Sequence, residues 1–326
     1  MSSAITRRLR GVHTAWNFGC TVIFGGEGGL RKAGLGDIPH LTRRYIFGGR
    51  MQFPTDRIYK FSSFSENSIS ALASKSAWFS NVGKLNDPFE AFVSYQEPRT
   101  EDERISRCVK FAAKSLELES KLSKNDAFEL VLKRYIENQE EFLKVTAELI
   151  RNALQQKKDY LHSLCVYSTS VDLPDHPPHY SNMLMWAHYG CGFSGFCLQF
   201  SADKFNKSIN ELNDGVQVYP RAMRYVDKAL VFNPVDLLGN GNFQYVDAIQ
   251  TKHEQWDYEG EVRFISKSVG LHRYSAESLE AVYIGAKMPQ GQRHVLIAIV
   301  KTYFPHAKIL EVKINNSGYE VVANEI

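Results

Sequence analysis

Lys252-His253-Glu254-Gln255-Trp256-Asp257-Tyr258-Glu259-Gly260-Glu261-Val262-Arg263-Phe264 reads as a helix end running into a strand. Val262, Phe264 and Ile265 favour β structure, and strand side chains alternate faces. On a continuous strand Glu259, Glu261 and Arg263 would share one face, each roughly 6–7 Å from the next. Two neighbouring carboxylates repel, and burial raises the pKa of either one alone. An arginine on the same face offsets part of both effects. Three charges beside Trp256 and Tyr258 therefore read either as a site or as a solvated strand face.

Working outward, Phe243 to His253 is expected to be the helix that feeds this strand. Short strands are expected at Ile58–Phe61, Ala77–Ser80, Leu164–Tyr167, Gly195–Phe200, Val216–Tyr219, Met223–Val226, Ala281–Ile284, Lys308–Ile314 and Tyr319–Val322. Ser65-Glu66-Asn67 starts a helix, Asn182 to Tyr189 is a second, and Gln292 to Phe304 a third. Over about 101–160, Ile105, Val109, Ala112 and Leu116 recur at helical spacing, and Phe128, Leu132, Tyr135, Phe142, Val145, Leu149 and Ala153 continue the stripe. Ser123 with Asp126 marks a helix start inside that stretch. The expectation is an α+β fold: a mixed, β-rich core with an inserted helical hairpin at about 101–160.

Composition narrows the function classes. The 326 residues are 44% hydrophobic and 12% aromatic, which supports a real core and argues against disorder. No apolar run reaches the roughly 18–20 residues of a membrane span. Net charge is +3, but residues 1–50 carry +6, so the rest of the chain is mildly acidic and gives no support for a nucleic-acid groove. The five cysteines are irregularly spaced with no C-x-x-C pair, as expected of a reducing cytoplasm rather than a disulfide framework or structural zinc site. Residues 1–50 are basic, Gly-rich and weakly patterned. Thr21-Val22-Ile23-Phe24 with Gly25 to Gly29 imitates a strand and phosphate loop, but no Gly-Lys-Ser/Thr follows. The expected organisation is a leader over 1–50, with Met51 a candidate true start, and one domain over 51–326.

Four segments carry a family resemblance. They are Ile58-Tyr59-Lys60-Phe61; Trp78-Phe79-Ser80 with Asn86-Asp87-Pro88-Phe89-Glu90; Met185-Trp186-Ala187-His188-Tyr189 with Gly195-Phe196-Cys197-Leu198; and Lys252 with Trp256, Tyr258, Glu259, Glu261 and Arg263. In order and spacing the chain resembles the bacterial domain of unknown function family 2971 over roughly 57–322. That resemblance implies no activity.

A second resemblance concerns chemistry. Lys60 on one strand, Ser168-Thr169-Ser170 ending another and Glu259-Gly260-Glu261 on a third are similar to the basic–Ser–Glu order of ADP-ribosyltransferases. It implies that Lys60 holds a phosphate of NAD, that Ser168 supports the nicotinamide pocket, and that Glu261, with Glu259 beside it, stabilises the oxocarbenium ion formed as nicotinamide leaves. Trp186, Tyr189 or Tyr258 would stack on the nicotinamide. This reading requires Lys60, Ser168 and Glu261 to line one cleft, and it fails if Lys60 lies on the sheet face opposite Glu261.

Other readings use the same residues. Asp87, Glu90, Glu259 and Glu261, with Lys252, form the acid set of a metal-dependent phosphodiesterase or nuclease, given the preference of hard cations for carboxylates. Alternatively the chain binds a small ligand or a protein and catalyses nothing. Asn86 and Asp87 then cap the turn before Pro88, Glu90 pairs with Lys84 or Arg263, Trp78, Trp186 and Trp256 fill the core, and His188 is an ordinary helix histidine rather than a general base.

Overall fold

The computed structural model describes residues 55–120, 122–238, 247–315 and 318–326. The expectations for the 1–50 leader lie outside these. The fold is α+β, and the chain divides into two units.

One unit comprises residues 50–91, 160–228 and 249–326 and is built on a ten-stranded sheet. Its central strands are β1 (Arg57–Ser62), β4 (Cys165–Ser170) and β5 (Phe196–Ser201), with β2 (Ser76–Asn81), β10 (Glu261–Ser266), β6 (Tyr219–Ala222) and β11 (Gly270–Arg273) on one side. On the other side lie β12 (Leu279–Ile284), β13 (Lys308–Asn315) and β14 (Glu320–Glu325). β12 and β13 run parallel, joined by the crossover helix α7 (Gln290–Tyr303), while the other registered pairs of this sheet are antiparallel.

Strand alternation sorts two cores. Ile58, Phe79, Tyr167, Leu198, Phe200, Val262 and Phe264 face one way and pack with Phe205 of α6 (Ala202–Glu211), Leu72 of α1 (Glu66–Ala73) and Leu296 of α7. Tyr59, Phe61, Cys197 and Tyr283 face the other way and pack with Met185 and Trp186 of the short helix α5 (Met183–His188). α1 starts on a capping box in which Ser65 and Ser68 exchange hydrogen bonds. Asn182 caps α5 by accepting from the Leu184 and Met185 amides.

The two edges of β4 are paired differently. One edge pairs with β10 along its whole length, Cys165↔Ser266 to Ser170↔Glu261. The other edge is shared. Ser170 pairs with Tyr59 of β1, and Val166 and Cys165 pair with Ser80 and Asn81 of β2. Ser168 lies between, registered with neither strand, so the sheet forks there.

The second unit includes residues 92–159 and 229–248. The expected hairpin is three helices, α2 (Glu101–Ser120), α3 (Lys124–Glu137) and α4 (Gln139–Ser163). Cys108, Phe111, Ala112 and Leu116 share a core with Ala127, Val131, Phe142 and Ile150. Ser123 caps α3 by accepting from the Asp126 amide, as expected. Only Asn138 separates α3 from α4, and its side chain accepts from the Glu141 amide. A one-residue break leaves the apolar period almost undisturbed, which is why periodicity reads through it. A short parallel ladder joins β3 (Ser94–Tyr95) to β8 (Val231–Phe232).

Three further expectations are corrected. Residues 251–253, expected as a helix end, form strand β9 (Thr251–His253), parallel to β7 (Arg224–Val226). Residues 243–246 of that expected helix lie outside the described residues. The strand expected from Val216 begins at Tyr219, because the Val218 amide and carbonyl are taken by the Asn210 side chain. Trp78, expected in the core, is 55% exposed. Among the described residues no helix is long and apolar enough to cross a membrane.

Candidate functional site

Glu259 does not lie on the strand. Residues Glu254–Glu259 form a 3-10 turn that ends at Gly260, whose φ of +50° breaks strand alternation before β10 begins at Glu261. A Cβ at Gly260 would come within 3.0 Å of Leu173 Cδ2 and of the Val171 carbonyl oxygen. The position thus needs glycine for both handedness and space. Glu259 and Glu261 still converge, from different directions, sharing Lys252 while Arg263 holds Glu261 and Tyr189 holds Glu259.

Glu261 and Arg263 share a strand face, as expected. Arg263 Nε donates to Glu261 Oε1 at 2.7 Å and Nη2 to Oε2 at 3.1 Å. Arg263 also holds Glu90, with Nη2 donating to Oε1 at 2.7 Å, and donates Nη1 to the Ile249 carbonyl at 3.1 Å. Arg263 is fully buried, which such a planar, many-donor group tolerates only when so completely paired. Lys252, from β9, donates Nζ to Glu259 Oε2 at 2.6 Å and to Glu261 Oε2 at 3.3 Å, and lies over the Trp256 ring at 4.8 Å. The Tyr189 hydroxyl closes the other oxygen of Glu259 at 2.5 Å. The Glu261 amide donates to the Tyr225 hydroxyl at 2.8 Å.

These partners push the two acids apart. Burial opposes ionisation of Glu261, but Arg263 and Lys252, with hydrogen bonds from Arg263 and Ser168, outweigh it and hold the carboxyl down at about 2. Burial dominates at Glu259 and raises its pKa, despite the pull of Lys252. For Lys252 burial disfavours the charge, yet Glu261 and Glu259 overcome it and raise the pKa.

Stability should follow. The folded pKa of Glu261 is below its ordinary value of 4.5, so its stabilisation is complete above pH 4.5 and drains away as pH falls toward about 2. The parent protein should lose about 3 kcal/mol across that window that Glu261→Gln does not, at about 1.4 kcal/mol per pK unit. Urea unfolding of both proteins at stepped pH measures this, and parallel curves would refute it.

Lys60 completes the picture in an unexpected way. Alternation sends its Cβ to the face of Ile58 and Leu198, opposite Glu261. Its amine nevertheless enters the fork. Nζ donates to the Ser168 carbonyl at 2.8 Å and lies 4.9 Å from the centre of the Tyr167 ring. It thereby serves a carbonyl of β4 at the point where β1 and β2 diverge. The Ser168 hydroxyl bonds the Glu261 carboxylate.

A cleft of about 180 Å³ lies over the fork, lined by Lys60, Trp78, Ser168, Tyr189, Glu259 and Glu261, with Asn86, Glu90 and Lys252 contributing. Residues 185–264 match the family described as Protein of unknown function (DUF2971). The DUF2971 match is narrower than the resemblance over 57–322, but it spans Trp186, Tyr189, Lys252, Glu259, Glu261 and Arg263. No curated protein and no solved structure matches the chain.

The remaining expected site residues are dispersed. Trp186 is fully buried, its Nε1 donating to the Tyr180 carbonyl and its ring stacked on Phe193, so no incoming ring can reach it. Asp87 accepts from the Phe89 amide, the turn role expected of it. His188 is exposed, with Nδ1 2.8 Å from the Tyr258 hydroxyl, whose pKa is pushed up to about 12 by burial and by Glu259. Together with Asn182 donating to the Tyr258 carbonyl and Tyr189 bound to Glu259, this contact ties α5 to the turn that carries Glu259. Sequence reasoning missed Tyr225, and it missed Trp78 as a cleft residue. The outward position of Trp78 on an alternating strand was the available signal for the latter.

Proposed function

We propose that this chain is an NAD-using enzyme similar to ADP-ribosyltransferases, breaking the bond between nicotinamide and ribose. One observation carries the reading. Lys60, Ser168 and Glu261 come from three adjoining strands, β1, β4 and β10, and reach one cleft, with the Ser168 hydroxyl on the Glu261 carboxylate. NAD would supply a glycosidic carbon that gains positive charge as its base departs. Glu261, held ionised by Arg263 and Lys252, is the fixed negative charge that such a transition state needs. Glu259, whose pKa is raised, is the group suited to move a proton, because environments that push two acids apart divide their roles. The exposed Trp78 lining the cleft offers a stacking face for the nicotinamide that the buried Trp186 cannot. Among the described residues Lys60 is the cleft lysine without a carboxylate ion pair, and when protonated its amine suits an anionic ligand group. Its Cβ starts on the face opposite Glu261, and what supports the reading is its Nζ at the Ser168 carbonyl, in the lining of the same cleft as Glu261.

The metal reading is less well supported. Among the described residues no group of three His, Cys, Asp or Glu is placed to hold a metal ion, and Glu90, Glu259 and Glu261 are taken up by Lys252 and Arg263. A small-molecule ligand and a reducing cytoplasm are part of the same proposal, and the free thiols Cys108, Cys165, Cys191 and Cys197 support the latter.

Calorimetric titration with NAD tests the reading. Saturable binding is expected, with affinity falling about tenfold or more in Lys60→Ala, since a charge-assisted contact is worth roughly 1.5–3 kcal/mol. No heat with the parent protein would overturn it.

A further inference from the structure

The cleft contains two lysines in opposite settings. Lys252 touches three carboxylates, Glu259 at 2.6 Å, Glu261 at 3.3 Å and Glu90 at 3.8 Å, and so keeps its proton. Among the described residues Lys60 forms no ion pair. Its one hydrogen-bond acceptor is the neutral Ser168 carbonyl. A neutral amine can still make that contact, because it has N–H bonds to donate, and it keeps a lone pair besides. We propose that Lys60 is a carbonyl-reactive amine that condenses with small aldehydes entering the cleft.

Three features support this. Lys60 lines an open cleft rather than a closed core, so an aldehyde can reach it. Its stem is packed beside β5, opposite Leu198, which leaves the nitrogen held at the fork rather than swinging through solvent. Burial lowers its pKa. Glu261 and Glu259 pull the other way with smaller effect, and the Tyr167 face also favours the cation. Desolvated lysines of this kind are the ones that form Schiff bases.

The step balances without an added oxidant or reductant. The lone pair of Nζ attacks the aldehyde carbon, a C–N bond forms, and the carbonyl oxygen takes a proton to give a carbinolamine. The oxygen then leaves as water, with both hydrogens made good by the two the nitrogen gives up, and a C=N bond remains. An anionic ligand in the cleft would instead hold the proton on Nζ. The inference therefore does not rest on the NAD reading, and the NAD titration answers that question separately.

Reductive alkylation of the intact protein tests the proposal. The full chain is treated at pH 7.5 with limiting propanal and cyanoborohydride, and propylated lysines are quantified by peptide mass mapping. Lys60 should be labelled about fivefold or more ahead of the exposed Lys133 and Lys207, and the preference should vanish when labelling is done in urea. Lys252 should remain unlabelled in the folded protein. A Lys60 modified no faster than Lys133 and Lys207 would overturn the proposal, as would a preference that persists in urea.

Discussion

Arg263→Met should lower the stability of the protein by about 3–5 kcal/mol, the usual cost of breaking a buried ion pair from one side. The methionine fills much of the same space, so the loss is electrostatic. Glu261 loses two hydrogen bonds and Glu90 loses its arginine partner, while both carboxylates remain out of water. Lys252 alone would face three acids. At roughly 2–4 °C per kcal/mol for a chain approaching this size, the melting temperature should fall by about 10 °C. Adding Glu90→Leu should recover part of the loss by removing one orphaned charge. A change below about 1 kcal/mol in Arg263→Met would mean that the acids find water or protons at little cost, and the buried network would then have been misread.

Glu261→Gln should reduce nicotinamide release about 10²–10³-fold, the range seen when one preorganised electrostatic contact to a transition state is removed. Glu259→Gln should have a smaller effect at its optimum but flatten the pH dependence, because it removes the acid that titrates. Chromatographic assay of nicotinamide, with circular dichroism to verify folding, separates the two. Equal losses from both substitutions would refute the division of roles. Turnover untouched by Glu261→Gln would refute the role given to Glu261, and no turnover by the parent protein would favour a binding module over an enzyme.

Much of the architecture was legible because it rests on short-range chemistry. Ser65, Ser123 and Asn182 announce the helices that they cap, and the β-branched and aromatic runs around Ile58, Phe196 and Val282 announce strands. What could not be read was set by tertiary pairing. β9 is a strand only because β7 lies beside it. α6, by contrast, was legible, since Ala202, Phe205 and Ile209 recur at helical spacing. For the site, the convergence of Glu90, Lys252, Glu259, Glu261 and Arg263 follows from residue type, since charges in an apolar context seek partners. The fork does not follow. Nothing local to Ser168 or Lys60 says that β1 and β2 part company there, so the route of the Lys60 amine was invisible.

The single left-handed residue between the two acids has a consequence for how this chemistry can drift. Glu259 and Glu261 are the same amino acid two positions apart, and their inequality is written into the main chain at Gly260. Exchanging either acid for aspartate would alter reach but keep the asymmetry. A methyl group at position 260 would alter neither acid, yet it would press on Leu173 and the Val171 carbonyl and displace the turn that sets Glu259 apart from the strand. Inheritance of distinct acid strengths at this cleft therefore depends on a residue that carries no functional group at all.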